Sequence, residues 1–463
     1  MLHITSSRGA VAIPITRQNL WRLALVGLVT SLVAVLLPGT AWSQTVPCLA
    51  PTVVDDSTHP GGYTFQASMG PCSNGGLIVL ASGDSTDPYV IDLNGYDLFG
   101  TSSTGDSAGI HIYGSYVHVT NSSSSTSTIH SFDGGVVIGS QTRVLGEPTA
   151  SHNRVEKIVI KDNIGSPSTT WGEGVSIWNA THNSVCNNVI RHNGPYAGVG
   201  IYGRGSEGNK VGDTDCGSVT PTRGVGTGGN DILNNDVPLA NRNEDIGVRL
   251  EPGTVGTTVE NNLVKGSGLD GISVFRSPAP FTRDHVIKNN TVRDNGCHEY
   301  VGSASAADTD PRAGQPAANA TCGSGTGTEW FQFAHRKGDG IRIHGAPPPV
   351  SGTHQNAVNN TVQGNTVCGS AASGIRVDGG DFDGPNDQPN TIKGNTSSGP
   401  TDCPLNVRVS DPLNKSYDLY DVTYAFRLDC LGNAWGSPSN TTATTGTRYP
   451  STSNSPAQNC TIS

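Results

Sequence analysis

A four-residue pattern returns along most of this chain: Gly, apolar, any residue, apolar. It reads "GIHIYG" (109–114), "GVSIWN" (174–179), "GVGIYG" (198–203), "GVRLEP" (247–252), "GISVFR" (271–276), "GIRIHG" (340–345) and "GIRVDG" (374–379), with "GVVIGS" (135–140) as a weaker copy. Between the copies lie Asn-rich segments such as "NRVEKIVIKDN" (153–163), "NSVCNNVIRHN" (183–193) and "HVIKNNTVRDN" (285–295). Clean copies are 24 residues apart, Gly174 to Gly198 and Gly247 to Gly271. A fixed period of this length marks a repeat architecture, in which each repeat buries its apolar face against its neighbours. Each segment is short, alternates with period two and ends in Gly or Asn, which reads as strand. Helical periodicity is nearly absent, and the two-residue turns of a hairpin fold are missing.

The pattern predicts an all-β fold, a right-handed parallel β-helix forming a single elongated domain with loop insertions. Alternate apolar residues should point inward and stack as Val/Ile ladders, one coil about 4.8 Å from the next. Asn at the corners is expected to adopt left-handed backbone and to hydrogen-bond to the Asn one coil up. Composition agrees: 60 of 463 residues are Gly, and only 14 % are charged, unlike a helix-rich protein. The net charge of −10 argues against nucleic acid or an anionic membrane as partner, because both reward clustered Lys and Arg.

The N-terminus reads as an export signal. Arg8, Arg17 and Arg22 precede an apolar run over Leu23–Leu37, and Ala41-Trp42-Ser43 supplies small residues for cleavage before Gln44. No second apolar segment follows, so no stable membrane span is expected and the protein should be secreted or periplasmic. The expected boundaries are a signal peptide over 1–43, an N-terminal cap and first coils over 44–100, and the β-helix over 101–400. Insertions fall near 212–229 and 297–336, and a C-terminal coil with a capping tail occupies 401–463. Ten Cys in an exported chain suggest five disulfides. Nearest-neighbour pairing gives Cys48–Cys72, Cys186–Cys216, Cys297–Cys322, Cys368–Cys403 and Cys430–Cys460.

The segment "GGLIVL…YVIDLNGYDLFGT" (75–101), followed by these coils, resembles the pectin-lyase-like superfamily of right-handed β-helices. In particular it is similar to bacterial secreted proteins with a NosD-type β-helix region. The tail "YDLYDVTYAFRLDCLGNAWGSPSN…NC" (417–460) is similar to the C-termini of many of these. The resemblance covers most of the mature chain and implies the fold. It leaves the activity open, because the superfamily includes lyases, hydrolases, epimerases and proteins with no known reaction.

Stacking the repeats gives columns. Two residues after the Gly the column reads His111, Ser176, Gly200, Arg249, Ser273, Arg342 and Arg376. Four residues after the Gly it reads Tyr113, Trp178, Tyr202, Glu251, Phe275, His344 and Asp378. The residue before the Gly is Glu173, Ala197, Ile246, Asp270, Asp339 or Ser373 in the later coils. The outer face thus turns from aromatic to charged along the axis. Tyr113, Trp178, Tyr202 and Phe275 are candidates for stacking on sugar rings. An aromatic ladder also stabilises a sheet by itself, and neighbouring opposite charges also form plain ion pairs.

The charged columns bring Arg249, Glu251, Asp270, Asp339, Arg342, His344, Arg376 and Asp378 together as candidate catalytic residues for a polysaccharide. In a lyase, Arg249, Arg342 or Arg376 would face a uronate carboxylate while His344 or Lys337 takes the C5 proton. Lyases resembling this fold often use calcium, and "DGGDFDGPND" (378–387) offers Asp378, Asp381, Asp383 and Asp387 as oxygen ligands. In a glycoside hydrolase, Asp270 with Asp339, or Glu251 with Asp339, would straddle the bond. A non-catalytic extracellular binding protein would use the same face for affinity alone. The signature motifs of the pectin-degrading hydrolases and alginate epimerases of this fold are absent; "TRDHVI" (282–287) comes nearest to the epimerase acid–His pair, and there alternation makes Asp284 a turn residue. The remaining histidines, among them His192, His298, His335 and His354, lack metal-ligand spacing.

Overall fold

The computed structural model describes residues 45–101, 107–142, 149–165, 171–217, 227–235, 246–278, 282–293, 295, 338–344, 355–368, 370, 373–378, 390–396, 417–422 and 428–431. These residues lie in one compact unit, Gln44–Ser463. The expected signal peptide and the whole 297–336 insertion lie outside the described residues.

Three parallel sheets run the length of the unit, with 10, 11 and 11 strands. Each coil contributes one strand to each sheet in the same order, giving a right-handed parallel β-helix. The middle strand of each coil is the Gly repeat. Its sheet runs through Ala108–Ile112, Gly134–Gly139, Glu173–Trp178, Ala197–Tyr202, Ile246–Leu250, Ile272–Val274, Ile341–Ile343 and Ser373–Asp378. Its last strand is Tyr417–Val422, which places a coil within the C-terminal segment. Strands are already paired from Thr45 onward, so the first coils begin well before residue 100. Among the described residues no helix is long and apolar enough to cross a membrane.

The Asn-rich segments are not single strands. "NSVCNNVIRHN" supplies Ser184–Cys186 to one sheet and Val189–Arg191 to the next, with Asn187 at φ 55° between them. The left-handed step turns the corner, and the paired Asn divides the work expected of one residue. Asn187, Asn261, Asn289 and Asn359 take the positive φ. The following Asn188, Asn262, Asn290 and Asn360 turn inward and are buried. There they form ladders: Asn188 Nδ2 donates to Asn230 Oδ1 at 3.2 Å, Asn230 to Asn262 at 2.9 Å, and Asn262 to Asn290 at 3.0 Å. The ladder continues from Asn290 to Asn365 and from Asn365 to Asn395. Buried amides satisfied rung by rung avoid the cost of an unpaired polar group.

The core is a stack of aliphatic residues with no exposure, including Val175, Ile177, Val199, Ile201, Val248 and Leu250. The Gly column exists because of this core. A Cβ on Gly174 would lie 2.6 Å from Ile190 Cγ2 and 2.8 Å from the Gly198 carbonyl. On Gly271 it would lie 2.5 Å from Val292 Cγ1 and 2.6 Å from the Gly340 carbonyl. The Gly and the apolar residue after it therefore both face inward. That resets the alternation and returns the residue before the Gly to the outer face, where Glu173, Asp270 and Asp339 sit.

Cys48–Cys72 and Cys186–Cys216 are disulfides, as the local pairing predicts. Cys368 is also disulfide-bonded. Cys297, Cys322, Cys403 and Cys460, and the side chain of Cys430, lie outside the described residues. Disulfides are the mark of an oxidising compartment.

Candidate functional site

The strand register confirms the columns. Arg249 pairs with Ser273, Ser273 with Arg342, and Arg342 with Arg376. Asp270 lies on the rung directly below Asp339, and the two are in contact: Asp339 N–H donates to Asp270 Oδ1 at 2.8 Å. Ser273 Oγ donates to Asp270 Oδ2 at 2.5 Å. Arg376 Nη1 approaches Asp339 Oδ2 at 3.9 Å, and both acids have no exposure. Arg342, His344 and Arg376 are half-buried.

Burial pushes the Asp270 carboxyl up, against the pull of Arg342 and the Ser273 hydrogen bond. Burial, reinforced by Arg342 and Arg376, holds the His344 imidazole well below the usual histidine range. His344 Nε2 is 3.9 Å from Asp270 Oδ2, beyond hydrogen-bond reach. With His344 neutral, this is not an ion pair. His344 Nε2 has no hydrogen-bond partner among the described residues. A neutral imidazole and buried acids thus sit within a field of guanidinium groups.

Arg249 and Glu251 pair with each other on their own rung. This satisfies Glu251 two rungs from Asp339, so the pairing of Glu251 with Asp339 across a glycosidic bond is not favoured. The Arg249 guanidinium also lies 4.7 Å from the Phe275 ring centroid and 6.0 Å from that of Tyr202. The aromatic column is not continuous. Trp178 stacks on Tyr202 at 4.2 Å and Phe275 on His344 at 4.4 Å, each pair within 13° of parallel. Tyr113 stacks on His111 of its own coil at 4.1 Å, with the Gly139 rung between it and Trp178.

Asp378 ends the strand above Ile341–Ile343, but its side chain lies outside the described residues, as do Lys337, Asp381, Asp383 and Asp387. Asp284 is a turn residue at φ 64°, and His285 has a structural place. Its Nδ1 accepts the Thr257 N–H at 3.0 Å, and its own N–H donates to Asn360 Oδ1. It fills an Asn position in a ladder, so "TRDHVI" is not a catalytic pair. Among the described residues, Glu156, Cys186 and Cys216 have metal-like spacing. The two sulfurs are bonded to each other, and Glu156 is held by His118, Arg154 and Lys157.

Several residues escaped the sequence reading. Glu173 is buried and accepts hydrogen bonds from Tyr202 Oη at 2.5 Å, Ser176 Oγ at 2.8 Å and Gly172 N–H at 2.9 Å. Ser176 and Ser273 had a place in their column and no assigned role. Their shared offset of three residues after an acid was the signal.

No protein-family model matches this chain, and no curated protein matches it. Among solved structures it is similar to an alginate lyase from Paenibacillus sp. str. FPU-7, at 15 % identity and a TM-score of 0.41, over 85 % of this chain and 98 % of that one. It is similar to the periplasmic alginate epimerase AlgG at 12 % identity and a TM-score of 0.37, over 83 % of each chain. It is also similar to a variant tailspike protein of E. coli bacteriophage HK620 in complex with a pentasaccharide. That match has 14 % identity and a TM-score of 0.37, over 85 % of this chain and 60 % of that one.

Proposed function

We propose that the protein is exported, binds an acidic polysaccharide on the outer face of the Gly-repeat sheet and cleaves it by β-elimination. The observation that supports this reading is the pairing of Arg342 with Arg376 on adjacent rungs, beside the neutral His344. Two guanidinium groups on adjacent rungs can hold a uronate carboxylate through charge-assisted hydrogen bonds. The same cations would stabilise the negative charge that develops when the C5 proton leaves. His344 Nε2 takes that proton. The electron pair of the C5–H bond forms the C4–C5 double bond, the C4–O bond breaks, and the leaving oxygen takes a proton from solvent. Bound uronate also offsets the guanidinium charges that depress His344, making it a better base. Asp378, Asp381, Asp383 and Asp387 are proposed oxygen ligands for calcium.

A second reading rests on Asp270 and Asp339. Adjacent buried carboxyls, one pushed toward its neutral form, have the asymmetry of a general acid and its partner in glycoside hydrolysis. The test is a screen of the protein from Gln44 onward against acidic and neutral polysaccharides, with calcium and with EDTA. A rise in both ultraviolet absorbance and reducing ends on a uronate polymer supports elimination. Reducing ends alone would support hydrolysis. Binding with neither signal would make this face a binding surface only.

A further inference from the structure

The outer face carries one arrangement twice. In "EGVSIW" (173–178) and "DGISVF" (270–275), an acid is followed by Ser three residues on and an aromatic ring five residues on. In both, the Ser hydroxyl donates to the acid of its own strand, Ser176 to Glu173 at 2.8 Å and Ser273 to Asp270 at 2.5 Å. In both, the next rung lays a ring on the aromatic, Tyr202 on Trp178 and His344 on Phe275. That second ring turns its polar tip to the acid: Tyr202 Oη to Glu173 at 2.5 Å, His344 Nε2 to Asp270 at 3.9 Å. Each stack holds one buried ring nitrogen with no hydrogen-bond partner among the described residues, Trp178 Nε1 and His344 Nε2. The two acids are three rungs apart, about 14 Å at about 4.8 Å per rung.

The copies differ in charge. Around Asp270 stand Arg342 and Arg376. The Glu173 copy is closed on itself: burial pushes the Glu173 carboxyl up, and burial and Glu173 push the Tyr202 hydroxyl well above its usual value. Arg249, already bonded to Glu251, stands between the two. A buried carboxyl under stacked rings repels a uronate and favours an uncharged sugar. An indole N–H buried without an acceptor is costly, and a sugar hydroxyl would satisfy it.

We infer that the Glu173–Ser176–Trp178–Tyr202 arrangement is a second sugar subsite that takes an uncharged residue, three rungs from the charged cluster. The ligand is then a glycan that combines uronate with neutral sugar and is long enough to reach both places. This rests on the proposed function, which supplies the charged subsite.

The test is calorimetric binding of short and long oligosaccharides from a polymer alternating uronate and neutral sugar, and from a pure polyuronate. The long mixed oligosaccharide should bind wild-type protein about tenfold or more tighter than the short one, a difference of about 1.4 kcal/mol. Trp178→Phe, which keeps a ring but removes the indole N–H, should bring the long-to-short ratio close to one. Should that variant fold poorly, wild-type tryptophan emission decides: it should respond to the long mixed ligand and not to the short one. Equal affinity for short and long ligands, or an equal length gain with pure polyuronate, overturns the second subsite while leaving the charged one standing. Failure of wild-type protein to bind any acidic oligosaccharide overturns both.

Discussion

Arg342 and Arg376 are direct register partners on neighbouring strands, and each answers to a buried acid. Arg376 Nη1 lies 3.9 Å from Asp339 Oδ2, and burial raises the Asp270 carboxyl while the Arg342 charge pulls it back. Removing either cation leaves a buried carboxyl less compensated, so Arg342→Gln and Arg376→Gln should each cost about 1–3 kcal/mol. Urea unfolding of the two variants measures both, and unchanged stability in either would contradict this geometry.

Asp270 gives a prediction of opposite sign for stability and function. Burial raises its carboxyl in the folded state, so above the unfolded value the unfolded chain ionises more readily and folding loses stability as pH rises. Asp270→Asn removes that penalty and keeps an acceptor for the Asp339 N–H. Thermal unfolding at pH 7 should show a higher midpoint than wild type, while any hydrolytic turnover that uses Asp270 as its acid falls. A lower midpoint would mean that Asp270 is ionised and held by its cations.

His285 is buried in a ladder position, and burial brings its imidazole down to about 4. The folded state excludes a proton that the unfolded chain binds below about 6.5. Stability is therefore fully present above that value and is lost as pH falls toward about 4. The loss is about 3 kcal/mol at about 1.36 kcal/mol per unit. His285→Asn restores the residue used at the other ladder positions. Unfolding measured across this window should be less pH-dependent in the variant, and parallel curves would remove His285 from the account.

The Gly column should tolerate no side chain. In Gly271→Ala the new methyl meets Val292 and the Gly340 carbonyl at 2.5 and 2.6 Å, and overpacking of this kind costs about 1–3 kcal/mol. Asn262→Ala removes the acceptor used by both Asn230 Nδ2 and Asn230 N–H and should cost about 2 kcal/mol or more. Chemical denaturation measures both, and a neutral result at either position would show that the core yields where it is drawn as rigid.

Much of the fold was legible because a solenoid writes the same constraint once per coil. The Gly, the apolar pair and the Asn clusters each recur, and the columns they predict match the register from Ala108 to Arg376. Two things were hidden. Alternation alone would turn Glu173, Asp270 and Asp339 inward, and only the steric demand at Gly174, Gly271 and Gly340 shows why they face out. The Asn-Asn pairs look like one corner residue repeated, but the first sets the backbone turn and the second fills the ladder. The site was legible as columns and not as contacts. Nothing in the sequence says that Glu251 spends its charge on Arg249, or that Tyr202 reaches back one rung to Glu173.

The most direct measurement is the affinity of wild-type protein and Arg342→Gln for a soluble polyuronate at low and at high salt. The account predicts that wild type binds, that salt weakens the binding, and that Arg342→Gln loses about tenfold or more, about 1.4 kcal/mol. Equal affinity of the two proteins would contradict it, and the Arg342–Arg376 pair would then be a rung of the solenoid and not the place where an acidic glycan is held.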